Sequence, residues 1–147
     1  MALVRPEAAL GYPEGALPIA ALSTRDLPAI HALYQEAYPG NWFDPRMLAT
    51  GQFCGAFEGP RLVAIAGVHV YSERQRVAAL GNITTHPARR GEGLGTAVTA
   101  ALCRRLLAEV GDIGLNVKAD NLVAQRCYAR IGFEVCAEYD ELTATRR

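Results

Sequence analysis

The residue types best suited to chemistry in this chain are concentrated in one glycine-punctuated stretch, Thr84 to Thr96. The stretch follows an apolar run over residues 77–83, which predicts a strand, and leads into an apolar-periodic run from Leu94, which predicts a helix. The first N–H groups of a helix have no intrahelical partners and carry partial positive charge. Because glycines let such a backbone approach a ligand closely, the sequence predicts a site for a phosphorylated ligand here.

The spacing of Gly91, Gly93 and Gly95 separates this loop from two common phosphate-binding loops. A dinucleotide fingerprint needs a small residue at position 96 and an acidic residue in a suitable second strand, and the chain lacks both. A P-loop needs Lys-Ser or Lys-Thr after its last glycine, and that pair is also missing. What the chain does have is Arg90, which gives the pattern R-x-x-G-x-G.

Hydrophobic periodicity and turn residues predict the elements that position this loop. Strands are expected at 17–22, 52–57, 61–71, 77–85, 113–117 and 133–139, and helices at 27–37, 45–50, 94–110 and 121–131. This order predicts an α/β fold with a mixed sheet and helices on both faces. We expect residues 1–16 to be an irregular N-terminal segment and residues 17–147 to form one domain.

Composition excludes several classes of function. The formal net charge is zero, so nothing predicts nucleic acid or an anionic membrane as a partner. No apolar run reaches the roughly 18 residues that a membrane-spanning helix needs. The four cysteines lack metal-ligand spacing, and their apolar neighbours predict buried, reduced thiols. We therefore expect a cytoplasmic protein without a metal.

A second pattern, N-x-x-A-x-x-x-Y-x-x-x-G-F, runs from Asn121 to Phe133. Asn121, Ala124 and Tyr128 are spaced so that they share one face of a helix. Tyr128 can project its phenol into a cleft, or its ring can simply pack in the core. Asn121 can likewise act only as a helix N-cap.

With both patterns in this order, the chain resembles the GNAT superfamily of acetyl-CoA-dependent N-acetyltransferases over about residues 17–140. Within it, the chain looks most like the branch of glycine N-acyltransferase-like proteins. The resemblance implies the GNAT-like acyl-CoA N-acyltransferase fold. In that fold a mostly antiparallel central sheet has a splayed strand pair at the donor cleft, and a bulge near Asn82 is one way to open it.

The resemblance also implies roles for individual residues. Acetyl-CoA would be the acyl donor, with its pyrophosphate on the loop, and its pantetheine amides would pair with the strand before the loop. Tyr128 would be the general acid that protonates the leaving thiolate. The donor-binding residues implied are Ile83, Thr84, Thr85, Arg90, Gly91, Gly93, Leu94, Gly95, Thr96 and, on the pantetheine arm, Asn121.

The chain departs from the family at the general base. Several members place Glu or His on the strand before the loop, at positions that are Ala79 and Gly81 here. A tight 72–76 hairpin would put His69 opposite about Ala79, so we take His69 as the substitute base. A one-residue slip in register would move it to the other face of the sheet. A core or surface histidine is the competing interpretation.

These features favour an enzyme that moves acetyl from acetyl-CoA to a primary amine of a small molecule or amino acid. The aromatic residues at 34, 38, 42 and 43 can be an acceptor wall or part of the core. The missing base on the strand favours an alternative, a catalytically silent acyl-CoA-binding regulatory module. Only one strand fits after the last helix, which suggests a homodimer that completes the sheet or the C-terminal half of a two-module acyltransferase.

Overall fold

The computed structural model describes residues 1–140 and residue 142. In that part of the chain seven strands form one sheet: β1 (Ala2–Leu3), β2 (Ile19–Ala21), β3 (Cys54–Glu58), β4 (Arg61–Ser72), β5 (Val77–Thr85), β6 (Asp112–Leu115) and β7 (Phe133–Glu134). The helices there are α1 (Pro6–Leu10), α2 (Leu27–Ala37), α3 (Leu94–Leu107) and α4 (Leu122–Arg130), with short 3-10 turns at Thr24–Asp26, Pro45–Thr50 and Pro87–Arg89. The predicted mixed α/β architecture is confirmed.

Local capping signals explain where several of these elements begin and end. Ser23 and Asp26 form a capping box ahead of α2. Asp44 caps the turn at Pro45–Thr50 by accepting a 2.8 Å hydrogen bond from the Arg46 amide. That turn is a 3-10 helix of six residues, and Gly51, in the left-handed conformation, ends it.

The strand order in the sheet is β2-β3-β4-β5-β6-β1-β7, and the only parallel pair among the described strands is β5 with β6. The parallel pairing runs from Val77 opposite Asp112 to Leu80 opposite Leu115 and then ends. Asn82, two residues further along β5, has a φ of 55° and lies where the register against β4 shifts. β5 therefore carries a bulge at the point where it separates from β6, as predicted.

The core lies around β4 and α3. Seven consecutive residues of β4, Leu62 to Val68, are buried, so both faces of this central strand are covered. Helix α2 packs on β4 and β5, while α3 packs on β3, β4 and β5 and contacts α1 and α4. Burial of this apolar surface anchors the two strands, β4 and β5, on which the candidate site is built.

The N-terminal residues are more ordered than the sequence predicts. Ala2 and Leu3 pair with β7, and Ala2 also pairs with Gly114 of β6, so β1 lies between two strands from the C-terminal half. Ala9 of α1 is fully buried in the core. The expectation of an irregular segment over residues 1–16 is therefore wrong at both elements, because tertiary pairing stabilises pieces too short to be recognised from periodicity.

The C-terminal strand is shorter than the predicted 133–139 strand. β7 spans only Phe133 and Glu134, and residues 135–140 have no regular structure. Beside β6, the place that a further C-terminal strand could have taken is filled by β1. β7 forms one end of the sheet, so the predicted homodimer through this edge stays a prediction.

The thiols and the helices bear on two of the compositional expectations. Cys54 and Cys103 are buried, and burial raises the pKa of each thiol, to about 11 and about 12 respectively. Cys136, by contrast, is exposed, which corrects the expectation that all four are buried.

Among the described residues no helix is long and apolar enough to cross a membrane, and no three metal-binding side chains form a cluster.

The seating of the N-terminal strand can be tested at Gly132, which has a φ of +103° and whose Cβ position would overlap the Arg5 carbonyl. We expect Gly132→Ala to lower the free energy of unfolding by about 3 kcal/mol, since left-handed strain and steric displacement each cost roughly 1–2 kcal/mol. Gly111→Ala is the matched control, because its Cβ would only reach ordinary contact with the Arg76 carbonyl. Urea unfolding of the two variants makes the measurement, and equal stability would contradict this seating of residues 1–5.

Candidate active site

The glycine loop presents an open helix start. Gly91 and Gly93 have φ angles of 82° and 79°, a conformation that side chains with a Cβ disfavour. Gly93 is the N-cap of α3, and no side-chain hydrogen bond caps this helix. The N–H groups of the first turn are therefore free to meet an anionic ligand, in the geometry that suits phosphate.

Two predicted loop residues can take part only through their backbones. The side chains of Leu94 and Thr96 are buried, at 6% and 1% exposure, and the Thr96 hydroxyl has no hydrogen-bond partner among the described residues. A Cβ on Gly95 would lie 3.1 Å from the Thr85 hydroxyl. Glycine at 95 thus lets the start of α3 approach the end of β5.

The two adjacent arginines of the loop have different environments. Arg89 forms ion pairs with Glu58 and Glu92, which compensate its charge. Arg90 is exposed, and among the described residues it hydrogen-bonds only the backbone carbonyls of Thr85 and Ala37, each at 3.3 Å. Arg90 is therefore the arginine whose charge is available to a phosphate, which supports its assignment from the motif.

The end of β5 leaves one edge open to a ligand. Thr84 and Thr85 pair with Ile65 and Ala64 of β4, so their other edge faces the gap left by β6. Ile83, Thr84 and Thr85 are all half-buried. An extended ligand arm could accept and donate hydrogen bonds along this edge as a strand would.

A charged cluster fixes the junction between β5 and the loop. His86 Nδ1 accepts a 3.1 Å hydrogen bond from the Ala88 amide, so the ring proton is on Nε2, which donates to Glu36 at 2.5 Å. Arg61 lies 3.4 Å from the same carboxylate. These contacts, with the His86 hydrogen bond as the largest, lower the pKa of Glu36. His86 is thus the cap of the turn at Pro87–Arg89, and the cluster also attaches the loop to α2.

Asn121 and Tyr128 lie on α4 as the second pattern predicts. Asn121 caps the helix by accepting a 3.2 Å hydrogen bond from the Ala124 amide. The Tyr128 ring is half-buried and packs edge-on against Phe133, with centroids 6.0 Å apart. Burial, with smaller contributions from Cys127 and Tyr38, raises the pKa of Tyr128 to about 12. The phenol is therefore protonated at neutral pH, the form that a proton donor requires.

The His69 ring reaches Gly81, one of the two positions at which the resemblance implies a base, but by a different register than expected. Val70, not His69, pairs with Ala79, because the hairpin register starts from the pair Ser72–Val77. A β4 bulge then places His69 between Val68 and Val70, which pair with Leu80 and Ala79. The His69 side chain is exposed, and its ring lies over Gly81 so closely that a Cβ there would overlap it. The imidazole thus occupies the space of a side chain at position 81. No hydrogen bond links His69 to Tyr128 in the described chain.

The aromatic residues at 34, 38, 42 and 43 divide between the two interpretations, a part of the core and an acceptor wall. Tyr34 is buried, and Phe43 packs against Tyr34 and Phe53, so these residues belong to the core. Tyr38 and Trp42 are exposed, Trp42 by 82%. Only these two remain candidates for an acceptor wall.

Sequence reasoning missed one tyrosine near the candidate site and named a second, Tyr38, only as part of a possible acceptor wall. Tyr12, in the segment predicted to be irregular, places its hydroxyl 3.8 Å from where a Cβ of Gly93 would lie. Tyr38 ends α2 next to Ala37, whose carbonyl binds Arg90, and it influences the pKa of Tyr128. No sequence signal relates Tyr12 to the loop or Tyr38 to Tyr128, since long-range packing alone brings these residues together.

Two cavities of the described residues lie away from the predicted site. They have volumes of about 360 Å³ and about 250 Å³, at α4–β7 and between α2 and the start of β4, and neither is lined by a predicted site residue.

Comparison with known proteins identifies the class that this fold and site define. The acetyltransferase (GNAT) family matches residues 19–133, and the chain belongs to that family. A mycothiol acetyltransferase of Kineococcus radiotolerans is 35% identical over 96 residues, which are 65% of this chain and 29% of that protein. The chain spans about a third of the length of the curated relatives it matches.

Solved structures agree on the fold. The ribosomal-protein-S18-alanine N-acetyltransferase of Escherichia coli superimposes with a TM-score of 0.67 at 28% identity, covering 82% of this chain and 79% of that one. The PaiA N-acetyltransferase of Thermoplasma acidophilum, in complex with coenzyme A, also gives a TM-score of 0.67, at 16% identity over 82% of this chain and 91% of that one. The second likeness concerns the fold alone.

The loop assignment is tested by Gly93→Glu. A side chain there strains the left-handed backbone, and its carboxylate repels phosphate, so we expect acetyl-CoA binding to weaken about 100-fold or more. Gly51→Glu is the matched control, because Gly51 also has a positive φ, of +70°, with open space at its Cβ position, but it lies outside the loop. Calorimetric titration measures both variants, and unimpaired binding by Gly93→Glu would refute the assignment.

Proposed function

We propose that this chain is an N-acetyltransferase that moves an acetyl group from acetyl-CoA to a primary amine of a small molecule or amino acid by direct attack. The observation that best supports this is the end of β5–β6 pairing at Leu80 and Leu115, directly before an uncapped, glycine-rich helix start. The open strand edge suits the amide arm of the donor, and the open helix start that follows it in the chain suits the pyrophosphate of the same donor.

The residues present fit that donor. Arg90, with the backbone N–H groups at Gly91, Gly93, Leu94, Gly95 and Thr96, would hold the pyrophosphate. The open edge at Ile83, Thr84 and Thr85 would pair with the pantetheine amides. Asn121, which already caps α4, is close enough in the chain to Tyr128 to contact the same arm. These assignments follow the family motif and are supported by the φ angles and exposures described above.

In the proposed reaction the acceptor nitrogen attacks the thioester carbonyl carbon, the C–N bond forms and the C–S bond breaks. His69 takes the proton that the amine loses, directly or through water. Free N–H groups on the open edge of β5 stabilise the oxyanion as it forms. Tyr128 donates its phenolic proton to the departing thiolate sulfur.

Two features favour the alternative, a catalytically silent acyl-CoA-binding regulatory module or the C-terminal half of a two-module acyltransferase. Ala79 and Gly81 cannot accept a proton where several relatives place a base. The chain also spans only about a third of its curated relatives. The finer resemblance to glycine N-acyltransferase-like proteins and the cytoplasmic location, which the free cysteines support, stay predictions.

Tyr128→Phe separates the enzyme from the silent module. With acetyl-CoA and a panel of primary amines, we expect the parent to release free coenzyme A thiol. The variant should lose about 100-fold in kcat, because a positioned general acid contributes on that order. Its acetyl-CoA affinity should be unchanged, since only the hydroxyl is removed. Turnover by the variant at the parent rate would refute the role of Tyr128, and no turnover by the parent would favour the silent module.

The role of His69 can be tested by moving the base from position 69 to position 81 on the neighbouring strand. We expect His69→Ala to lower kcat by about 100-fold, because a positioned general base contributes on that order. Removing the ring frees the space above Gly81, so His69→Ala with Gly81→Glu should restore activity from the neighbouring strand. His69→Ala with Gly81→Gln is the control, because the amide has similar size but accepts no proton. Equal activity of the Glu and Gln combinations would rule out a base at this place.

A further inference from the structure

The bulge in β5 is held by a side chain from α2. The Tyr34 hydroxyl donates a 2.6 Å hydrogen bond to the Asn82 carbonyl, and both residues are buried, at 3% and 4% exposure. Burial, more than the neighbouring Tyr38, raises the pKa of Tyr34, which favours the protonated hydroxyl that donates this hydrogen bond. A backbone acceptor that leaves the strand ladder is thus satisfied by a helix side chain.

The conformation at Asn82 needs such support. Its φ of 55° lies in the left-handed region, which is disfavoured for residues other than glycine. A second contact, a 3.5 Å hydrogen bond from Asn82 Nδ2 to the Met47 sulfur, is weak. The Tyr34 hydrogen bond is therefore the main polar contact that favours the bulged backbone over a regular strand.

The position of the bulge relates it to the donor groove. Leu80 is the last residue of β5 paired with β6, and Ile83 is the first of the three residues whose open edge would bind the donor. Asn82 lies between them. If its backbone returned to a regular extended conformation, β5 could continue to pair with the chain after Leu115, and the open edge would be lost.

We infer that Tyr34 is a positioning residue for the binding of acetyl-CoA. By hydrogen-bonding the Asn82 carbonyl, Tyr34 keeps the edge at residues 83–85 open. The ring of Tyr34 is fixed for this task by packing against Phe43, with centroids 5.2 Å apart. This inference rests on the proposed use of β5 and the loop to bind the donor. It adds a residue outside the motif and on a different element.

The test is calorimetric titration with coenzyme A of the whole chain, at a temperature well below the unfolding transition. Tyr34→Phe keeps the packed ring and removes only the hydroxyl, and we expect its Kd to rise about tenfold, because a buried carbonyl then lacks its partner. Tyr34→Phe combined with Asn82→Gly should recover affinity within about twofold of the parent, since glycine adopts a positive φ without strain.

A matched control distinguishes positioning from a general loss of stability. Tyr71→Phe also removes a hydroxyl, one that bonds Glu109 and Glu73 away from the bulge, and we expect a lower Tm with an unchanged Kd. If Tyr34→Phe does not fold, Asn82→Ala makes the same test from the other partner, because alanine disfavours positive φ and should raise Kd about tenfold.

The outcomes are separable. A parent chain that does not bind coenzyme A refutes the proposed function. A parent that binds, with Tyr34→Phe binding equally well or with no recovery on Asn82→Gly, overturns the positioning role while leaving the proposed function standing.

Discussion

The candidate site depends on a parallel strand pair that stops early. β5 and β6 are paired over four residues, and beyond Leu80 their backbones separate. Separation is costly in a protein interior, since every unpaired N–H and C=O needs another partner. The chain satisfies one of these groups with the Tyr34 hydroxyl, and the edge at residues 83–85 is the one proposed to bind the donor. The groove is thus the unfilled part of a sheet, and an extended amide-bearing donor suits it because such a molecule can pair as a strand does.

The last turn of α2 makes hydrogen bonds to three parts of this groove. Tyr34 bonds the bulge, Glu36 bonds His86 at the end of β5, and the Ala37 carbonyl accepts from Arg90 in the loop. Three residues within one helical turn therefore contact three successive parts of the chain from residue 82 to residue 90. A shift of α2 would alter the strand opening and the orientation of the arginine together. Substitutions on the helix can thus affect donor binding without touching the donor.

Local signals allowed much of the fold to be predicted, and long-range pairing accounts for what was missed. Glycines, caps and periodicity placed α2, α3, α4 and the three longest strands within a few residues, because each signal acts over one or two turns. The insertion of β1 between β6 and β7 leaves no such signal, since two residues have no periodicity. The same limit applies to Tyr12 and Tyr34, whose relation to the loop and the bulge arises only from packing across more than 40 residues. The positive φ angles of Gly91 and Gly93 and the cap at Asn121 agree with the motifs, because family patterns record local backbone needs, whereas the roles of the motif residues stay predictions.

His69 shows why a motif read along one strand can mislead about chemistry. At Gly81 the pattern indicates that no side-chain base is present, yet the adjacent strand places an imidazole in the space that glycine leaves. The β4 bulge that does this cannot be predicted from the hairpin length, because regular pairing continued from Ser72 and Val77 would align His69 with Leu80. What a catalytic site needs is a proton acceptor at a point in space, and neighbouring strands about 5 Å apart can both supply that point. A large residue on one strand can therefore fill the space above a small residue on the neighbouring strand, so the two residues have to be considered together.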